Sequence, residues 1–307
     1  MKRREFMKAS ATALGLFATG GATAGFPSLA YAKTSGPVTP LDTLLEQGMR
    51  VMWVGAHPDD ESMVGAMLAK AGPRLGNPLY FLVLTRGDGG ECLLPGGCSP
   101  GLGTVRANEM KEVARLYGAE LQHEYYWNAP LPVESFPKRH EIAERWVREH
   151  GDPTFVIAKA IRDFKPDVLL TFAPINGFTG HPEHQLASRF STAAIRVAAD
   201  PNSGLPGAAH RVEYSYYGLN RYWPYRLFGA GDPMEPTETF RGRQECIDGK
   251  TCLEILAEYT KPHRTQENDM GAVRVLSRYL ITFYLRRTDP FTEVFDPHEK
   301  VVENGMG

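Results

Sequence analysis

The chain has 307 residues, with 34 Lys and Arg against 36 Asp and Glu, a formal net charge of −2, and 42% hydrophobic residues. That balance, with no basic stripe interleaved with aromatic residues, excludes a nucleic-acid-binding surface. The length is ample for one well-cored α/β domain. Beyond the first 32 residues, no apolar run approaches the roughly 20 residues needed to span a bilayer.

Residues 1–32, "MKRREFMKAS ATALGLFATG GATAGFPSLA YA", join a basic start, a Gly/Ala-rich apolar middle and a small-residue end before Lys33. That is the layout of an export signal. Arg3 and Arg4, followed by Phe6 and Lys8, resemble the twin-arginine class. A periplasmic or extracellular destination is therefore expected, with 33–307 forming a single domain that carries a looser C-terminal extension.

A linker and short helix over 33–48 lead into "RVMWVGA" (50–56), which predicts a buried strand. "DESMVGAMLAKAG" (60–72) predicts a helix closed by Gly72 and Pro73, and "PLYFLVLT" (78–85) a second strand followed by a long Gly-rich loop. Residues 104–118 place Val105, Met110 and Val113 at helical spacing, with Gly118 as a ready C-cap. A short strand over 123–127, one or two helices over 138–165, a strand over 166–174, a helix over 184–200 and a strand over 211–220 follow. Pro- and aromatic-rich loops and a final helix around 265–281 complete the chain. This alternation predicts an α/β, Rossmann-like, mostly parallel sheet with helices on both faces. The aromatic stretch "YSYYGLNRYWPYRLF" reads as a packed surface flap, with a stacking platform for sugar rings as the alternative.

The four cysteines form two local pairs in turn-rich loops, "CLLPGGC" and "CIDGKTC". In an exported protein such pairs read as disulfides, Cys92–Cys98 and Cys246–Cys252. A soft-metal site is the rival, but neither loop has Cys-x-x-Cys spacing or a nearby His.

Two charged clusters fall at the carboxyl ends of predicted strands, where open α/β sheets gather their chemistry. "AHPDDE" follows the first strand and "APINGFTGHPEH" the strand over 166–174. His57 and Asp60 are three apart, and so are His181 and His184. One His and one carboxylate from the first cluster with one His from the second make three N/O ligands, the set of a catalytic zinc site with water in the remaining position. Spacing alone does not say which aspartate binds metal. Glu61 is better explained as a carboxylate at a helix N-terminus.

These motifs resemble the PIG-L/LmbE-type zinc de-N-acetylases, whose hallmarks are AHPDDE early and an HPDH-like motif later. The second motif has Glu183 in place of the usual Asp. "VLTRGDGG", the Arg-x-x-Glu of "RANEMKEVARLYGA", "KPDVLLTFAP" and "PHRTQ" resemble further elements of the family, so the likeness covers most of 50–200. The resemblance implies His57, Asp60 and His184 as zinc ligands and Asp59 as general base. It implies His181 as the residue that stabilises the oxyanion and protonates the leaving nitrogen, and Arg106 as substrate-binding. His263, in a Pro-rich loop, reads as a surface residue.

Zinc would lower the pKa of bound water, and Asp59, ionised beside a dication, would accept its proton. The expected activity is removal of the N-acetyl group from an N-acetylated amino sugar or its conjugate. Rival readings are a zinc amidase acting on a non-sugar amide and a non-catalytic envelope protein that binds carbohydrate. Asp59 and His181 argue against the last, since neither is needed to hold a metal.

Overall fold

The computed structural model describes residues 39–222, 231–279 and 281–301. The leader over 1–32 and the end of the aromatic stretch lie outside them. Helix α1 (Leu41–Glu46) precedes strand β1 (Val51–Gly55), which is buried at every position. A 3-10 turn (Asp60–Met63) leads into α2 (Gly65–Ala69) and a π turn (Lys70–Arg74), where one regular helix over 60–72 was expected. Asp60 folds back under the preceding turn, which tightens the start. Pro73, lacking an N–H, loosens the end. At Gly72 a Cβ would lie 2.3 Å from the carbonyl of Tyr117, so only glycine allows this segment to lie so close.

Strand β2 (Leu79–Thr85), helix α3 (Leu102–Tyr117) and strand β3 (Ala119–Tyr126) come next, with Gly118 ending α3 at φ 69°. Helices α4 (Arg139–His150) and α5 (Pro153–Phe164) lead to β4 (Val168–Phe172); Asp152 caps α5 through the N–H of Thr154 and Pro153 opens it. Helix α6 (Pro182–Ala199) and β5 (Tyr214–Leu219) complete the expected pattern. Three elements were not foreseen: β6 (Glu238–Arg241), α7 (Cys252–Tyr259) and, after α8 (Glu267–Leu276), β7 (Thr282–Thr288).

The sheet order is β3-β2-β1-β4-β5-β7-β6. The first five strands are parallel, with Val51 against Leu79 on one side and Val168 on the other, and β7 and β6 run antiparallel. Parallel strands covered on both faces are largely apolar, which is why β1, β2 and β4 read as near-continuous hydrophobic runs; Thr171 in β4 is buried with its hydroxyl donating to the carbonyl of Val54. Trp53 of β1 meets Phe172 of β4 edge-on at 5.1 Å. The order reverses between β1 and β4, so the carboxyl ends of these two strands flank the crevice where such folds bind ligands. Among the described residues, no helix is long and apolar enough to cross a membrane.

Cys92 and Cys98 are joined in a disulfide, whereas Cys246 and Cys252 are free and buried. The second expected bridge is therefore not formed. Instead the two thiols are hydrogen-bonded to each other, and Cys246 Sγ donates to the carbonyl of Ala69 at 3.2 Å, binding this loop to the end of α2.

Candidate metal centre

After Gly55 the chain leaves the sheet in a turn that Asp60 closes on itself. Its Oδ2 accepts the N–H groups of Ala56 and His57, each at 2.8 Å. Its Oδ1 is left facing His184 Nε2 at 3.0 Å. His184 comes from the first turn of α6, and Gly177, at φ 59°, lets the preceding loop pass against it; a Cβ there would sit 2.8 Å from the Cβ of His184.

The ring tautomers follow from the partners of the outer nitrogens. His184 Nδ1 donates to the carbonyl of Gly177 at 2.9 Å, and His57 Nε2 donates to Glu183 Oε2 at 2.5 Å. In the neutral rings the inner nitrogens, His57 Nδ1 and His184 Nε2, carry lone pairs, and they lie 3.0 Å apart. Two acceptor nitrogens and a carboxylate oxygen converging on one point repel unless a cation sits among them. The arrangement fits a metal with an N/N/O ligand set. His181 offers another ring nitrogen in the same place, the donor atoms of His57, His181 and His184 all lying within 4.8 Å of one another. Asp60 and His184 are buried, while Asp59 and His181 keep some exposure and form the open side.

The electrostatics of the metal-free site point the same way. Burial pulls His57 down, but Asp60 and Glu183 outweigh it and hold its pKa at about 10. Burial would raise Asp60, yet His184 and His57 keep it well below the usual carboxylate range. The pocket holds positive charge even as a proton. Asp59 is raised well above its ordinary value by burial and by the neighbouring Asp60 in the metal-free site. His181 is lowered well below its ordinary value by burial, then by His57 and His184. Its Nδ1 also accepts the N–H of Glu183 at 3.2 Å as the N-cap of α6. It is a neutral imidazole with its proton on Nε2, rather than a cation.

A second layer fixes these groups. Glu183, fully buried, accepts His57, Asn128 Nδ2 at 2.7 Å and the N–H of Ala129 at 2.7 Å. A metal-ligating His is typically oriented by such a carboxylate. Glu61 is buried and accepts His263 Nε2 at 2.9 Å, so His263 is an interior residue rather than the surface residue expected. Arg106 on α3 is buried, its pKa lowered by burial against the pull of Asp59. Its guanidinium occupies the space above Gly90, where a Cβ would come within 2.7 Å of Nη2, and it donates to the carbonyl of Glu91 at 3.1 Å. Glu109, one turn further along α3, accepts the N–H and hydroxyl of Thr265 at 3.1 and 2.6 Å. Gln266 Nε2 reaches Asp59 Oδ2 at 2.5 Å. Glu183, Glu109 and Gln266 are functional residues with no role legible in the sequence; the HPEH motif, the Arg-x-x-Glu spacing and "PHRTQ" were their only signals.

A doubly wound α/β domain with a histidine–carboxylate cluster converging at its switch point has the arrangement of a metal site with an open side. Residues 52–195 match the PIG-L family model, described as GlcNAc-PI de-N-acetylase. It is similar to the 1D-myo-inositol 2-acetamido-2-deoxy-alpha-D-glucopyranoside deacetylase of Streptomyces scabiei, 31% identical over 179 residues that cover 55% of this chain and 54% of the relative. The protein of the same name from Corynebacterium urealyticum is 28% identical over 66% of this chain and 62% of its own. The chain thus spans little more than half the length of the curated relatives it matches. In fold it resembles the N,N'-diacetylchitobiose deacetylase of Pyrococcus horikoshii, with a TM-score of 0.55 and 16% identity over 84% of this chain and 93% of the other. It also resembles the 4-carboxy-2-hydroxymuconate hydratase of Pseudomonas putida, with a TM-score of 0.57 and 15% identity over 83% and 99%.

Proposed function

We propose that this protein is a zinc-dependent hydrolase that removes the N-acetyl group from an N-acetylated amino sugar or its conjugate. The observation that carries the reading is the convergence of His57 Nδ1, His184 Nε2 and Asp60 Oδ1, all as electron-pair donors, beside Asp59 and His181 on the open side. These three residues would hold the ion, and borderline N/O donors favour zinc over magnesium or calcium. Bound zinc supplies a water of lowered pKa and polarises an acyl oxygen.

The chain's own residues do the rest. Asp59, on the open side of the site, accepts the proton of the attacking water. His181 donates a hydrogen bond from Nε2 to the oxygen that gains charge as the amide carbon becomes tetrahedral. Passage of the proton from Asp59 to the departing nitrogen completes the balance. Arg106 sets the substrate's polar groups against the rim. The sugar is supported by the family match and by the names of the relatives. The fold does not dictate it, since a hydratase shares the fold.

Incubating the zinc-loaded protein with a panel of N-acetylated sugars and non-sugar acetamides tests the reading by release of acetate and free amine together. Turnover confined to the non-sugar amides would replace the sugar by another acyl acceptor. We also propose export in the twin-arginine manner. The Cys92–Cys98 bond supports an oxidising destination, and fractionation of cells expressing Arg3→Lys/Arg4→Lys tests it through retention in the cytoplasm.

A further inference from the structure

We propose that Gln266 is a positioning residue for Asp59, and that the segment from His263 to Gln266 is the splint that holds it; the catalytic part of this inference rests on the reading of Asp59 as general base. Asp59 lies at φ 108° and ψ −22°, a conformation that a residue with a side chain adopts only when its surroundings impose it. Three hydrogen bonds impose it here. Gln266 Nε2 donates to the carbonyl of Pro58 at 2.8 Å and to Asp59 Oδ2 at 2.5 Å, while Glu61 Oε2 accepts the N–H of Asp59 at 3.1 Å. One carboxamide therefore grips both the backbone before Asp59 and the carboxylate itself, which sets the angle at which that carboxylate faces the rim.

The orientation of the amide is unambiguous. Gln266 Oε1 is buried with no hydrogen-bond partner, and flipping the group would put that oxygen against two acceptors. Both Nε2 hydrogens are engaged and the residue is 5% exposed, so Gln266 offers nothing to a substrate directly. It is itself immobilised on three sides. His263 is bonded to Glu61, Thr265 to Glu109, and the carbonyl of Thr265 accepts the N–H of Leu93 at 3.3 Å, inside the disulfide loop. A contact 207 residues away in sequence thus fixes the direction of the group that takes the proton.

Gln266→Met in the full zinc-loaded chain removes both donors at similar volume. We expect kcat to fall about 10- to 100-fold, the scale of a misplacement of about 1 Å. KM should stay within about twofold, because no substrate contact is lost. Zinc content should be unchanged, and in an Asp59→Asn background the same change should have no further effect on kcat. Thr265→Val, which loosens the splint at Glu109, should give a smaller kcat loss with the same unchanged KM, and it serves if Gln266→Met does not fold. A crystal structure of either variant should show Asp59 leaving the positive-φ region. Unchanged kcat, a loss that multiplies with Asp59→Asn, or an Asp59 still at positive φ in both variants would overturn the proposal. If the wild type hydrolyses no amide, the functional reading fails, and the backbone of Asp59 in the variants still decides whether the splint exists.

Discussion

Glu183 and His57, 126 positions apart, share a hydrogen bond of 2.5 Å that leaves His57 Nδ1 bare toward the metal position. Glu183 accepts three donors in all, counting Asn128 and Ala129. In Glu183→Gln one of these donors must face an NH2 group. Zinc affinity is expected to fall about 10- to 100-fold, as for other residues that orient a ligating histidine. Competition with a chelator of known affinity measures it, and an unchanged affinity would remove Glu183 from the centre.

Asp60 and His181 compete for the third ligand position. If Asp60 holds it, His181→Ala retains one equivalent of tightly bound zinc and loses most of its turnover, about 100-fold or more. His184→Ala loses the zinc itself. Elemental analysis of both variants after dialysis decides between the two, and loss of zinc from His181→Ala would make the ring nitrogen the ligand.

Asp59→Gly should be inactive yet more stable. The positive φ of Asp59 stores about 1–3 kcal/mol, of which glycine gives back about 1 in unfolded-state entropy. A net gain of about 1 kcal/mol raises Tm by about 1.5–2 °C in a chain of this size. Calorimetry of the metal-free proteins checks it, and a lower Tm in the variant would show that no strain is stored.

Asp232 is buried and pushed up to about 7 by burial, against the opposing N–H of Asn220 at 3.0 Å and the charge of Arg221. Below about pH 4 both folded and unfolded chains keep this proton. Between about pH 4 and 7 only the folded chain does, so its contribution to stability declines as pH rises, by about 4 kcal/mol in all. Asp232→Asn should flatten that decline and be the more stable form at pH 8. Urea midpoints from pH 4 to 8 measure the slope. A steeper decline in the variant would assign the titration elsewhere.

Peptide mapping without reduction should recover Cys92 joined to Cys98. Cys246 and Cys252 should react with alkylating reagents only after unfolding, since both are buried. Reaction of either in the native protein would mean that the loop against Ala69 opens.

The parts legible in the sequence were those whose physics is local. β1, β2 and β4 announce themselves because a strand covered on both faces is made almost wholly of apolar residues. Asp152-Pro153 and Gly118 mark helix ends through their own backbone preferences. His57, Asp60 and His184 stand out because charge beside a core strand needs a reason. What stayed hidden depends on distant partners. β6 is four residues long and polar at its exposed positions, and only its pairing with β7 makes it a strand. His263 looks like a surface histidine until Glu61, 202 positions earlier, is placed against it. Cys246 and Cys252 have the spacing of a bridge, but the carbonyl of Ala69 gives one thiol a different partner.

The lone pairs of His57 and His184 meet across 127 positions of chain, and they do so only once β1 and β4 lie side by side, Val51 on Val168. Pairing of this kind is high in contact order and is formed late, after the intervening α/β units have closed their own loops. No fragment ending before β4 has the ligand set. Tight metal uptake is therefore a readout of completed sheet topology rather than of local turn formation, and the rate at which a refolding chain captures zinc should track the slowest step of strand assembly.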